Sequence, residues 1–147
     1  MKRKKLFFLI GILLAALYCL LWLLWENEAM ICNAKYGIGY EITAVARTNV
    51  HCKITTEKLS LKIRMIPNVL EKRTILGWYE LKGTGNLEEK FEHEEYSMLE
   101  KGEPFTFGIN FGDFYGKLTN GTYRFKFVVC NDEKEDLGYC YITFKIQ

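Results

Sequence analysis

Two periodicities divide the chain. Residues 6–25 read LFFLIGILLAALYCLLWLLW, twenty positions without a charge. As a helix rising 1.5 Å per residue they cover roughly 30 Å, the thickness of a bilayer's hydrocarbon core. Further on, the dominant period is two. LSLKIRM (59–65) places Leu59, Leu61, Ile63 and Met65 on one face and Ser60, Lys62 and Arg64 on the other, the pattern of a half-buried strand. FTFGINF (105–111) does the same with Phe105, Phe107, Ile109 and Phe111. YRFKFV (123–128) turns Tyr123, Phe125 and Phe127 to a core and Arg124 and Lys126 to water, and CYITFKI (140–146) aligns Cys140, Ile142, Phe144 and Ile146.

Weaker alternation marks YEITAVA (40–46), ILGWYELK (75–82) and EEYSML (94–99). The breaks TNGT (119–122) and KGTGN (82–86) carry Gly and Asn, which tolerate positive φ. EKGEP (100–104) sets a proline at the start of a strand, where its missing N–H costs least. NLEEKFEHEEY (86–96) is the one candidate for a short helix beyond the apolar run. About seven strands at this spacing predict an all-β, immunoglobulin-like sandwich behind one N-terminal transmembrane helix.

Charge orients the apolar run. Lys2, Arg3, Lys4 and Lys5 precede it, and Glu26 and Glu28 follow. The positive-inside rule therefore puts residues 1–5 in the cytoplasm, with Trp22 and Trp25 at the outer headgroup level. A cleavable signal has a shorter core, about 7–15 residues, and a small-x-small exit. Here the exit offers only Cys32 and Ala34, so residues 6–25 read as a retained signal anchor, a secreted form being the alternative. Tyr18 before Cys19 does not suit lipoprotein processing. Residues 26–36 then form a linker and residues 37–147 one extracytoplasmic domain. The net charge of +2 is misleading, because taking the four cytoplasmic cations from 20 Lys+Arg leaves 16 against 18 Asp+Glu. That near-neutral balance leaves no basic stripe for nucleic acid.

The C-terminal half resembles the bacterial immunoglobulin-like domain family of Gram-positive surface and secreted proteins. The resemblance rests on GWYELKGTG (77–85), LEKGEPFTFGINF (99–111), FYGKLTNGTYRFKF (114–127) and YITFKI (141–146). It is most specific at Tyr115, Gly116, Lys117 and Leu118 and at Gly121, Thr122, Tyr123 and Arg124. The family's tryptophan before this motif is Phe111 or Phe114 here. The family is defined by fold, so the resemblance implies architecture and location rather than an activity.

Of five cysteines, Cys19 lies in the apolar run. The other four face an oxidising side, where disulfides persist, and four allow three pairings. Cys130 and Cys140 flank a hairpin loop and are the leading pair, provided a β-bulge near Val128–Cys130 brings both to one face. Cys32 with Cys52 is the weaker pair. No C-x-x-C occurs, and His51 beside Cys52 makes a poor zinc site.

Candidate chemistry is sparse. His93 stands among Glu92, Glu94 and Glu95, which suits a solvated charge run better than a His–carboxylate pair. Asp132, Glu133, Glu135 and Asp136 lack the ligand order of a calcium loop and read as a polar hairpin tip. No nucleophile elbow, zinc-protease, P-loop or Rossmann motif occurs. Asn120-Gly121-Thr122 is a glycosylation sequon by formula and a tight turn by composition. Trp78, Tyr79, Tyr139 and Tyr141 could form an exposed binding patch, against a packing role. The sequence thus predicts a non-enzymatic interaction or adhesion module at the cell surface, without cofactor or metal, with the membrane and a protein or cell-surface partner. The rival is an accessory subunit of a membrane complex that works through its apolar helix, with Tyr18, Cys19 and the tryptophans as a packing surface.

Overall fold

The computed structural model describes residues 2–64, 69–83 and 96–147. The first element is one helix, α1, Lys2–Tyr36, of 35 residues. It holds the whole apolar run and is long and apolar enough to cross a membrane. Its length of about 52 Å exceeds a bilayer core by about 20 Å. Residues 26–36, expected as a linker, are instead its last turns. The reason is local: ENEAMICNAKY contains no Gly or Pro and is rich in good helix formers. The helix stops at Gly37, whose φ of +67° suits a residue without Cβ. The Lys58 ammonium caps its C-terminus, donating to Ala34 O at 2.5 Å and to Lys35 O at 3.4 Å.

Two antiparallel sheets follow, with the core between them. In the first, β1 (Ile38–Val45) pairs with β2 (Asn49–Thr56), which pairs with β7 (Phe105–Asn110). The second is built on β8 (Gly121–Cys130). One edge of β8 pairs throughout with β9 (Asp136–Ile146). Its other edge is shared. The first half takes β4 (Val69–Thr74), and the last two residues take β3 (Leu61–Arg64). Outside these lie β5 (Gly77–Glu80) on β4 and β6 (Tyr96–Leu99) on β3. A single helical turn, α2 (Gly112–Tyr115), follows β7.

The described residues thus hold nine strands rather than about seven. The sequence reading omitted β2, where Val50, Cys52 and Ile54 alternate with polar neighbours, and β4, whose VLEKRT has one clear core residue, Leu70. ILGWYELK becomes a strand only at Gly77–Glu80, since Ile75 and Leu76 form the turn before it. The short helix expected at 86–96 falls almost wholly outside the described residues.

The core follows the alternation. Val50, Cys52 and Ile54 of β2 face Phe125, Phe127 and Val129 of β8 and Cys140, Ile142, Phe144 and Ile146 of β9, all buried. Phe125 and Phe144 stack at 5.2 Å, Phe111 lies 5.8 Å from both, and Phe107 meets Phe127 edge-on at 6.0 Å. At the start of β8, Tyr123 Oη donates to Thr119 O at 2.8 Å, tying the strand to its own entry turn.

The far edge of β9 is sealed by side chains. Asn33 of α1 donates to Tyr141 O at 2.7 Å and accepts from Tyr141 N–H at 2.8 Å, as a neighbouring strand would. Tyr36 Oη donates to Leu137 O at 2.6 Å, and Thr143 N–H donates to Tyr40 Oη of β1 at 3.1 Å. An edge strand left open would invite pairing with another chain. Gly138 makes room here: a Cβ on it would stand 2.6 Å from Tyr36 Oη. Asn33→Ala leaves both buried groups of Tyr141 without a partner. It should cost about 2 kcal/mol in denaturant unfolding; an unchanged midpoint would mean that water or a neighbour replaces the amide.

Candidate functional site

The outer face of the second sheet, turned away from the core, carries a cluster of charged and aromatic side chains. Alternation puts Arg124 and Lys126 of β8 there, beside Tyr139 and Tyr141 of β9, Glu71 of β4 and Trp78 of β5. An open sheet would leave these side chains in water. Instead the end of α1 crosses the face, and Arg124, expected to be exposed, is only 3% exposed.

Its partners explain how a buried guanidinium is tolerated. Arg124 Nε donates to Glu71 Oε2 at 2.5 Å and Nη2 to Glu28 Oε2 at 2.7 Å. Its plane lies between two rings, with Trp78 at 4.4 Å and Tyr141 at 4.3 Å, a cation–π arrangement suited to arginine. Nη1 is buried without a hydrogen-bond partner among the described residues. Tyr141 Oη donates to Glu28 Oε1 at 2.9 Å, so both oxygens of one helix carboxylate are engaged by the sheet. Lys126 Nζ sits 4.0 Å over the Tyr139 ring. A cleft of about 300 Å³ opens here, lined by Glu28, Glu71, Leu76, Trp78, Arg124 and Lys126, with Tyr141 at its wall.

The electrostatics bind helix to sheet. Burial would raise the Glu28 carboxyl, but hydrogen bonds from Arg124 and Tyr141 and the charges of Arg124 and Lys126 outweigh it, holding the group below its usual value. Burial, then the bond to Glu28, pushes the Tyr141 phenol well above its usual range. Two cations and two carboxylates leave the cluster near neutral. It has an ion pair and an aromatic clamp.

The suggested aromatic patch is therefore divided. Trp78 and Tyr141 clamp Arg124 and are a packing device, Tyr139 is partly exposed beneath Lys126, and Tyr79 lies on the other face of β5, open to solvent. Of the motif residues, Tyr123 and Leu118 are buried. Tyr115 packs against the core from α2. Gly116 at φ +65° and Gly121 at φ +154° shape the turns on either side. Sequence reasoning did not single out Asn33 or Glu71, and it used Glu28 only to orient the apolar run. The available signal was ENEAMICNAKY itself, which continues the helix past the apolar run without Gly or Pro.

The cysteines are free thiols. The bulge expected in β8 at Val128–Cys130 is not there: the register shift between Val129 and Cys130 comes from an extra residue on β9, Leu137, so β8 keeps its alternation. The shift sets Cys130 opposite Asp136, while Cys140 is opposite Phe127. Cys130 also pairs with Lys62, whose neighbours Leu61 and Ile63 point inward, so Cys130 belongs to the outer face and Cys140 to the core. The predicted Cys130–Cys140 bridge is corrected on that ground, because bridged residues of a hairpin must share a face. Cys52 is in the core and Cys32 half-buried on α1. Burial pushes the Cys52 and Cys140 thiols up to about 12, the Cys32 thiol adding to the shift at Cys140. In the folded protein at pH 8 their alkylation should be about a thousandfold slower or more than in denaturant. All five should alkylate in denaturant without reductant; a mass two labels short would restore a bridge.

The remaining candidates have ordinary partners. Asp132 lies 3.9 Å from Lys62 and Asp136 3.4 Å from Arg64, and Glu135 accepts from Asn131 Nδ2 at 2.9 Å, an internally bonded hairpin tip. Asn120 Oδ1 accepts from Arg47 at 3.0 Å. His51 is exposed on β2 with its ring against Gly108. His93 lies outside the described residues. Among the described residues no three His, Cys, Asp or Glu side chains converge as a metal site. No family model matches the chain, and no curated protein matches it.

Proposed function

We propose that the protein is a single-pass membrane protein whose folded part, an immunoglobulin-like sandwich outside the cytoplasm, acts by binding a protein or cell-surface partner rather than by catalysis. The observation that carries this reading is the join between anchor and domain. α1 passes from the apolar run into the domain without a break, and Glu28, Asn33 and Tyr36 fasten it to β8 and β9. A domain held this way keeps a fixed orientation to the bilayer and presents its first sheet to other molecules, which suits a display or adhesion role. The Tyr123 bond to Thr119 O supports the immunoglobulin-like reading, since such sandwiches tie a tyrosine back to the entry turn of a strand in this manner.

The accessory-subunit reading uses Tyr18 and Trp22 as a surface for other helices. Both are engaged within the chain: Tyr18 Oη donates to Ile75 O at 2.7 Å, and the Arg73 guanidinium lies 5.1 Å over the Trp22 ring. This favours the binding module. The test exchanges the whole apolar run, residues 6–25, for an unrelated anchor, followed by crosslinking on intact cells. The module predicts the same crosslinked partner; loss of the partner would favour the accessory subunit. A C-terminal alkaline phosphatase fusion, active only outside the cytoplasm, checks the orientation, and an inactive fusion would overturn it.

A further inference from the structure

The turn between β4 and β5 is unusual for its place. Ile75 and Leu76 are 81% and 76% exposed, the two most exposed large hydrophobic side chains among the described residues. A hairpin turn facing water is ordinarily polar. This one is fixed to α1 within the apolar run, through the Tyr18 hydroxyl on Ile75 O. Tyr18 lies seven residues inside the outer end of that run, about 10 Å along the helix. One helical turn nearer the domain, Arg73 covers Trp22, a cation and an indole at the level where both prefer the headgroups.

The turn is also built to leave water. A main chain entering hydrocarbon needs its polar groups satisfied. Thr74 Oγ1 donates to Gly77 O at 2.9 Å and accepts from Leu76 N–H at 3.2 Å, and Ile75 O is held by Tyr18. The stretch Ile75–Gly77 carries no charge, and the nearest are Arg73 on one strand and Glu80 on the other.

We infer that the β4–β5 turn is a second membrane contact, its Ile75 and Leu76 side chains entering the acyl region of the leaflet next to the folded domain, alongside Tyr18. This rests on residues 6–25 spanning the bilayer. With α1 it gives the domain two points of attachment, which fixes its tilt as well as its distance. The Arg124 cleft, lined in part by Leu76 and Trp78, then lies at the level of the headgroups.

The test uses the full-length chain in phosphatidylcholine vesicles. A diazirine analogue of leucine replaces Leu13, Ile75, Leu76 or Glu133 in turn, and lipid adducts are counted by mass spectrometry after irradiation. Leu13 lies within the span and Glu133 on the exposed loop between β8 and β9. Adducts at Ile75 and Leu76 should match those at Leu13 and exceed those at Glu133 about tenfold. Adducts at Leu13 with Ile75 and Leu76 at the level of Glu133 would overturn the inference and leave the anchor standing. No adducts at Leu13 would overturn the span and the inference with it. In native membranes, a protein crosslinked at Ile75 or Leu76 in place of lipid would assign the turn to a partner chain and also overturn it.

Discussion

Replacing Arg124 with alanine should destabilise the folded chain by about 3 kcal/mol, measured by denaturant unfolding in detergent micelles. The guanidinium is the hub of the outer face, and its removal leaves the Glu71 carboxylate, only 16% exposed, without its cation and the rings of Trp78 and Tyr141 around a void. The reason is the asymmetry of buried pairs. Breaking one strands a charge, whereas replacing all its members by apolar groups can be neutral. The triple variant Arg124→Met, Glu71→Met, Glu28→Gln, in which the half-exposed amide at position 28 still accepts from the Tyr141 hydroxyl, should therefore recover much of the loss. A loss for Arg124→Ala under about 1 kcal/mol would mean that the pair is solvated and contributes as a surface bridge does.

The same cluster sets a pH dependence. The folded Glu28 carboxyl is held below its usual value of about 4.5, so the ionised form is favoured by folding. The stabilisation is complete above the unfolded value and disappears as pH falls through the folded one. The difference in unfolding midpoint between the parent chain and Glu28→Gln should be constant above about pH 5.5 and shrink below about pH 4.5. A difference that grew on acidification would reverse the assignment.

Phe125→Ala should cost about 4 kcal/mol. The ring is fully buried and packs against Phe111, Phe127 and Phe144 at centroid distances of 5.8, 6.0 and 5.2 Å. Truncation removes its transfer free energy and leaves a cavity whose walls belong to three different elements, so they cannot collapse together. Thr106→Ala, at an exposed position of β7, is the comparison and should stay within about 0.5 kcal/mol. A loss at Phe125 as small as that at Thr106 would mean that the aromatic stack is not the centre of the core.

Much of this molecule was legible from residue order, where one local rule suffices. A charge-free run of bilayer length makes a helix whatever surrounds it. The alternation of Tyr123, Phe125 and Phe127 and of Cys140, Ile142, Phe144 and Ile146 fixes which side of each strand is apolar, because the pleat has a period of two. Local rules were weaker where polar and apolar residues mix. VLEKRT became a strand because it pairs with β8, while ENEAMICNAKY follows its own helix propensity and its partners on β8 and β9 decide only where that helix lies. Alternation also says which face a residue takes, but not what covers that face. Arg124 is on the outer side, as its position between two core aromatics implies. It is buried because the helix extends past the apolar run and lays Glu28 over it. Cys130 and Cys140 lie close in sequence, but Cys140 is opposite inward-facing Phe127 and Cys130 stands three residues further along β8, so alternation puts their thiols on opposite faces. Ile75 and Leu76 read as the start of one of the weaker strands, and pairing of β4 with β5 made them the exposed turn beside Tyr18. Each of these outcomes depends on which strand or helix packs against which, and that is decided by chain packing and is not encoded in a local periodicity.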